Sequence, residues 1–264
     1  MCNAYGSTMS TPNYPPAETR EDLAKNLQAV QDRISSAAQR AGRATDEVRL
    51  LPVSKTIDEA HIRLAVDAGC CWLGENKVQE AHHKWEAMSD LDEVKWSVIG
   101  HLQTNKAKFV ARFASEFQAL DSLRLAEALD RRLQVEGRSL DVFVQVNTSG
   151  EASKYGVEPH EAGDFIAELP TFSSLRVRGL MTLAAFSTDE ARVRRCFSTL
   201  RTLRDQIRQD APDPAVLEEL SMGMSGDFEW AIDEGATVVR VGQAIFGPRL
   251  LPDSYYWPAA GTGS

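Results

Sequence analysis

The sequence predicts a (β/α)8 barrel, on three observations. Strand-like apolar runs fall at 48–53, 71–74, 94–99, 117–120, 140–146, 175–180, 216–220 and 237–241. Helix-compatible segments follow the first six, at 58–68, 76–88, 104–115, 122–135, 159–168 and 189–209, with a shorter one at 227–234 after the seventh. Such alternation implies parallel pairing, because each helix returns the chain to the same edge. Finally, no G-x-G-x-x-G opens any of these helices, which weighs against the alternative of an open nucleotide-binding sheet of six or seven strands.

Each segment has its own justification. Leu23, Leu27, Val30 and Ile34 recur at helical spacing, so a helix over 21–42 precedes the barrel. Residues 1–18 are rich in Pro, Ser, Thr and Asn and lack both a basic start and an apolar stretch. They are expected to be a disordered leader and not a secretory signal. The barrel with its added helix is expected over 19–250 as one unit, followed by a loose tail over 251–264. No apolar run reaches membrane-spanning length. Cys2, Cys70, Cys71 and Cys196 form no C-x-x-C pattern, so neither a zinc knuckle nor a redox pair is expected, and a reducing cytoplasm is the simplest compartment. A net charge of −9 disfavours nucleic acid, and the basic run at 192–197 reads as a solvated helix face.

Chemistry in such a barrel collects where strands exit at their C-terminal ends. The first exit delivers Lys55. The second gives Glu75 and Asn76, the third His101, Gln103 and Asn105, the fifth Asn147, and the sixth Met181 and Thr182. At the seventh, "SMGMSGD" supplies Ser221, Met222 and Ser225 around small glycines before a helix start. The eighth offers Arg240 and Gly242 on one strand face. Two readings of the last two exits stand side by side: a phosphate cradle of backbone N–H groups, and a tight turn that simply needs glycine. A lysine at a strand end is ordinarily a surface cation, but inside a barrel mouth desolvation exposes the lone pair that attacks a carbonyl. Lysine plus phosphate site on one rim suggests a phosphorylated aldehyde, and pyridoxal phosphate has these two handles. Arg240 beside a ring nitrogen would disfavour a proton there; the competing reading pairs it with Glu218, Glu219 or Glu229.

Other polar residues give less. His101 is a candidate base or a hydrogen-bonding loop residue. His82 and His83 read as solvated. Asn76, Asn105 and Asn147 orient a ligand or cap helices. No histidine pair has metal-ligand spacing with a carboxylate, so no metal is expected.

The motifs "PVSKT", "GENKVQEA", "IGHLQTNK", "VNTSGEASKYGV", "GLMTLA", "LSMGMSGDFEWAI" and "VRVGQAIFG" together resemble the pyridoxal phosphate homeostasis protein family of YggS-like proteins, from about residue 20 to 248. The resemblance implies a barrel of the alanine racemase N-terminal type, fold type III, with pyridoxal 5′-phosphate held by Lys55 as a Schiff base. It assigns Ser221 and Gly242 to the phosphate, Arg240 to its strand position and Asn76 to a place beside the ring, with Met222 and Ser225 completing the lining. Two departures stand out. Ser97 replaces a histidine common in the family, and Gln243 replaces a small hydroxyl residue, so the backbone there would bind phosphate without that hydroxyl.

A racemase on this barrel needs a second base and a further β domain. Beyond the eighth strand the sequence offers only residues 242–264, so a carrier acting in cofactor homeostasis is expected, not an enzyme, and no catalytic residue is assigned. Transient contact with apo-enzymes that use the cofactor is expected, and a monomer, since the racemase dimer contact is missing. A small racemase using Tyr155, and a Schiff-base aldolase using Glu75, are the alternatives.

Overall fold

The computed structural model describes residues 14–151, 153–210 and 217–248. Among them, eight strands form: β1 (Arg49–Pro52), β2 (Trp72–Glu75), β3 (Lys95–Val98), β4 (Glu116–Leu120), β5 (Leu140–Gln145), β6 (Leu175–Met181), β7 (Glu219–Ser221) and β8 (Val238–Val241). Each lies within a residue or two of the expected run, except that β7 starts later. Every pairing is parallel, in the order β1-β8-β7-β6-β5-β4-β3-β2. The ring closes between β1 and β2 through one bridge, Val53 to Gly74, in which the Ser54 N–H donates to the Gly74 carbonyl at 3.0 Å. The (β/α)8 expectation is met.

The helices are α1 (Arg20–Arg40), α2 (Glu59–Asp67), α3 (Val78–Ala87), α4 (Ala107–Phe113), α5 (Leu123–Glu136), α6 (Ala162–Glu168), α7 (Glu190–Asp210), α8 (Phe228–Asp233) and α9 (Gln243–Phe246). The segment expected over 104–115 divides into a 3-10 turn at Thr104–Lys106 and α4. Helix α9 was not expected, because four residues carry no readable period. Local chemistry fixes several starts. Thr19 and Asp22 form a capping box on α1, Asp58 accepts from the His61 N–H on α2, and Ser122 caps α5.

Helix α1 covers the seam where the ring begins and ends. Its buried face, Leu23, Leu27, Val30, Ile34, Ala37 and Ala38, packs among α2, α8 and α9. Polar staples add to this: Asn26 donates to the Ile245 carbonyl at 3.0 Å, and Arg33 forms a two-pronged pair with Glu229. Residues 14–18, the described end of the segment read as leader, lie against this seam. Ala17 is buried and the Tyr14 hydroxyl donates to the Ser225 carbonyl. The rest of that segment, and the tail over 251–264, lie outside the described residues. In the basic run at 192–197, Arg192 and Arg195 are exposed while Val193, Cys196 and Phe197 join the core. No helix among the described residues is long and apolar enough to cross a membrane.

Where β6 meets β7 the backbones leave no space for a side chain. A Cβ on Gly179 would lie 1.9 Å from the Glu219 carbonyl oxygen. Gly179→Ala is therefore expected to destabilise the fold by ~3 kcal/mol or more, read as a lower urea midpoint, since overpacking against rigid backbone has no cheap relief. An unchanged midpoint would mean that β6 and β7 are not in this register.

Candidate functional site

Because β1 hydrogen-bonds alternately to β8 and β2 up to Ser54, Lys55 emerges at the junction of first, second and eighth exits. It is half-buried. The chain turns immediately: Ile57 N–H donates to the Ser54 carbonyl, and Thr56 sits at φ +67°, in the left-handed region that threonine disfavours. Such strain, of order ~1 kcal/mol, persists only where the surroundings over-determine it. Here α3 does so. Lys84 Nζ donates to the Ser54 carbonyl at 3.1 Å and pairs with Glu75 at 2.8 Å and Glu80 at 3.1 Å. Glu80 also accepts from the Thr56 N–H, and Ser54 Oγ donates to Glu75. Burial pushes the Glu75 carboxyl above its ordinary range while Lys84 opposes that shift, and Glu75 Oε2 is buried without a hydrogen bond. Glu75, weighed above as an aldolase acid–base group, is thus committed to holding Lys84 and the turn.

The seventh and eighth exits converge. Arg240 N–H donates to the Gly223 carbonyl at 3.0 Å, and Gly242 N–H to Ser225 Oγ at 3.3 Å. Gly223, at φ +92°, has no room for a Cβ, which would lie 2.6 Å from the Ala231 Cβ; one on Gly242 would come within 3.1 Å of the Val53 carbonyl oxygen. Asp227 Oδ1 ties the loop by accepting from the Met224 N–H. Met222 is fully buried below this cradle.

Arg240 points into the barrel and is 3% exposed. Its guanidinium donates to Ser221 Oγ at 2.6 Å and to the Thr182 carbonyl at 2.8 Å. Both acceptors are neutral. Among the described residues it forms no ion pair: Glu229 is taken by Arg33, and Glu219 by Arg49 and Arg178. Burial pushes the guanidinium down to about 10, opposed by the fields of Asp227 and Glu116, so it remains a cation at neutral pH. Ser221 donates its own proton to Gln118.

Across the rim, His101 stacks on Tyr155, ring centroids 3.8 Å apart and 8° from parallel, with Nδ1 3.4 Å from Asp121. Burial raises the Asp121 carboxyl while His101 lowers it. His101 and Asp121 border a recess of about 490 Å³ that also takes in Gln103 and Asn105. Asn76 is half-buried at the second exit, its carbonyl against Gly100. Asn147 braces its own loop, donating to the Glu151 carbonyl and accepting from Ser149.

The chain matches the family described as "Alanine racemase, N-terminal domain" over residues 25–250. A protein of Aquifex aeolicus named "Pyridoxal phosphate homeostasis protein" is 41% identical over 228 residues, covering 85% of this chain and 97% of that one. The Escherichia coli K12 protein of the same name is 39% identical over 230 residues, covering 86% and 97%. The chain belongs to the pyridoxal phosphate homeostasis protein family. PipY of Synechococcus elongatus, solved with pyridoxal phosphate bound, superposes with a TM-score of 0.75 at 34% identity, covering 85% of this chain and 100% of that one. An alanine racemase of Clostridium difficile superposes at 0.67 with 14% identity and shares the fold. The expected fold type and family resemblance both hold.

For this homeostasis-family chain, sequence reasoning missed Lys84, Glu116 and Gln118. Lys84 carries no mark in the sequence that sets it apart from any other lysine of a helical segment. Glu116 and Gln118 alternate along β4 on one face, a polar pattern inside a barrel strand that was the available signal. His82 was misread: it is buried against Trp85, Phe109 and Phe113, not solvated, because α4 folds over it. His83 is exposed as expected. Lys84→Met would leave Glu75 buried without its cation and is expected to cost ~3–5 kcal/mol, by chemical denaturation. Adding Glu75→Gln should recover part of that loss; no recovery would show that the pair is not the interaction being broken.

Proposed function

We propose that the chain binds pyridoxal 5′-phosphate at the C-terminal rim and acts in its intracellular homeostasis as a carrier, not as an enzyme. The observation that carries this is Arg240: a buried cation with only neutral partners among the described residues, beside a glycine cradle and on the rim that also holds Lys55. A buried guanidinium with no carboxylate in direct contact among the described residues favours an acceptor-rich ligand. The close fit at Gly223 and Gly242 suits backbone N–H contact with phosphate, with Ser225 Oγ already beside the Gly242 N–H. Support also comes from relatives of about 40% identity named for pyridoxal phosphate homeostasis and from the ligand in PipY.

In this reading Lys55 would hold the cofactor through its aldehyde, in a covalent bond that amines could exchange. Gly242, Ser225 and the 222–225 loop hold the phosphate, and Met222 lines the floor. Ser221 serves through Arg240 as well as by position, because its hydroxyl is already engaged. Arg240 disfavours a proton on the ring nitrogen, and Asn76 borders the ring. When bound, the cofactor supplies an electrophilic aldehyde; a weakened electron sink suits carriage more than turnover. The barrel with α1 over 19–250 is the proposed functional unit. A cytoplasmic monomer that passes cofactor to apo-enzymes completes the proposal. A racemase reading draws on one feature, the Tyr155–His101 stack; Tyr155 is 56% exposed there.

The deciding experiment is an absorbance spectrum of protein loaded with pyridoxal phosphate, before and after borohydride, followed by peptide mapping. A visible band trapped on Lys55 is expected, and no band would remove the proposal. Lys55→Ala should lose the trapped adduct yet keep the wild-type circular dichroism. Arg240→Ala should release cofactor at least tenfold faster on dialysis, the scale expected for losing a charged hydrogen bond. Deuterium exchange at the α-carbon of added amino acids would mark the racemase instead.

A further inference from the structure

Arg240 stands at one end of a hydrogen-bonded chain that crosses the barrel interior. The guanidinium donates to Ser221 Oγ at 2.6 Å, and Ser221 Oγ donates to Gln118 Oε1 at 2.6 Å. Gln118 Nε2 donates to Glu116 Oε1, which also accepts from Ser97 Oγ at 2.7 Å. At the far end Arg49 donates to Glu116 Oε2 at 2.6 Å. Arg240, Ser221, Gln118, Glu116 and Ser97 are all buried. They come from β8, β7, β4 and β3, with Arg49 from β1.

The direction of every bond is forced. Arg240 can only donate, so Ser221 receives with a lone pair and has one proton left to give. That proton goes to Gln118, which must turn its oxygen toward Ser221. Its amide nitrogen then faces Glu116, which as a carboxylate can only accept. A reversed amide would set nitrogen against the Ser221 hydroxyl and oxygen against the carboxylate. Two carboxylates answer the charge of Arg240 without touching it: Asp227, and Glu116 at the end of this chain of two neutral side chains, where low polarity leaves their fields little screened.

We propose that Gln118 is a positioning residue: by fixing the Ser221 hydroxyl, it fixes the guanidinium of Arg240 that faces the cofactor. This rests on the pyridoxal phosphate reading above. Without an oxygen at position 118, the Ser221 proton turns to other acceptors, the guanidinium loses its fixed partner, and only the Thr182 carbonyl still orients it. Ser97 donates to the same Glu116 oxygen as Gln118 and so helps hold that oxygen in place as the acceptor.

The test compares Gln118→Met, Gln118→Glu, Ser221→Ala and the Gln118→Met/Ser221→Ala double variant. Each is loaded with pyridoxal phosphate and read three ways: dissociation constant, pH profile of the bound-cofactor absorbance, and thermal midpoint of the apo protein. Gln118→Met is expected to weaken binding roughly tenfold and to displace the pH profile, the loss of one hydrogen bond to a charged group. Gln118→Glu still accepts from Ser221 but sets a carboxylate against Glu116. It should lower the apo midpoint and yet keep affinity and profile near wild type. The double variant should do no more than the stronger single one, because both break one chain. Wild-type affinity and profile in Gln118→Met, or additive losses in the double variant, would overturn the inference. So would affinity that simply follows the thermal midpoint across the set, the mark of a structural role alone. In each of those cases wild type still binds cofactor; a wild type that binds none would bring down the pyridoxal phosphate reading and this inference with it.

Discussion

Parallel pairing around a closed ring forces all eight strands to exit at one rim. The rest of the site depends on that constraint. Once β1 pairs with β8 and bridges β2, Lys55, the Gly223 loop and Gly242 are neighbours although as many as 187 residues separate them in the chain. Helix α1 packs beside that junction, against α2, α8 and α9, and the ion pair of Arg33 with Glu229 fastens it to α8. The closure itself is slender. One bridge, Val53 to Gly74, joins β1 to β2, so the turn carrying Lys55 follows directly on a sparsely paired point of the ring.

Buried charge is the second organising element, and it is handled in two ways. On the helix side of β2, Lys84 sits between two carboxylates and a carbonyl, and the cost of burying Lys84 and Glu75 is offset by short pairs, one of them to the partly exposed Glu80, which also pins the Thr56 backbone. Inside the barrel, Arg240 has no adjacent carboxylate among the described residues. Its charge is answered at a distance, by Asp227 and, through Ser221 and Gln118, by Glu116. That carboxylate is shared with Arg49, and Arg49 extends toward Glu219 at the opposite rim. The two arrangements serve different ends. A directly paired cation is spent on structure, as Lys84 is on the Ser54–Ile57 turn. A cation supported only by neutral partners keeps its field available for whatever enters the rim.

The sequence by itself determined the strand and helix alternation, and with it the barrel. It also singled out Lys55, Ser225, Arg240 and Gly242, because a (β/α)8 chain carries its chemistry at strand exits and those exits can be counted along the chain. Tertiary structure decided how the polar side chains are partnered. Arg240 could have met Glu218, Glu219 or Glu229, and it forms an ion pair with none of them. His101 and Tyr155, read as separate loop residues, stack face to face. Gln118 carried no mark beyond its alternation with Glu116, and Lys84 none at all. The physical reason is common to all four cases. Periodicity reports which face a residue lies on, whereas a hydrogen bond depends on registry between strands distant in sequence, and only the closed ring sets that registry.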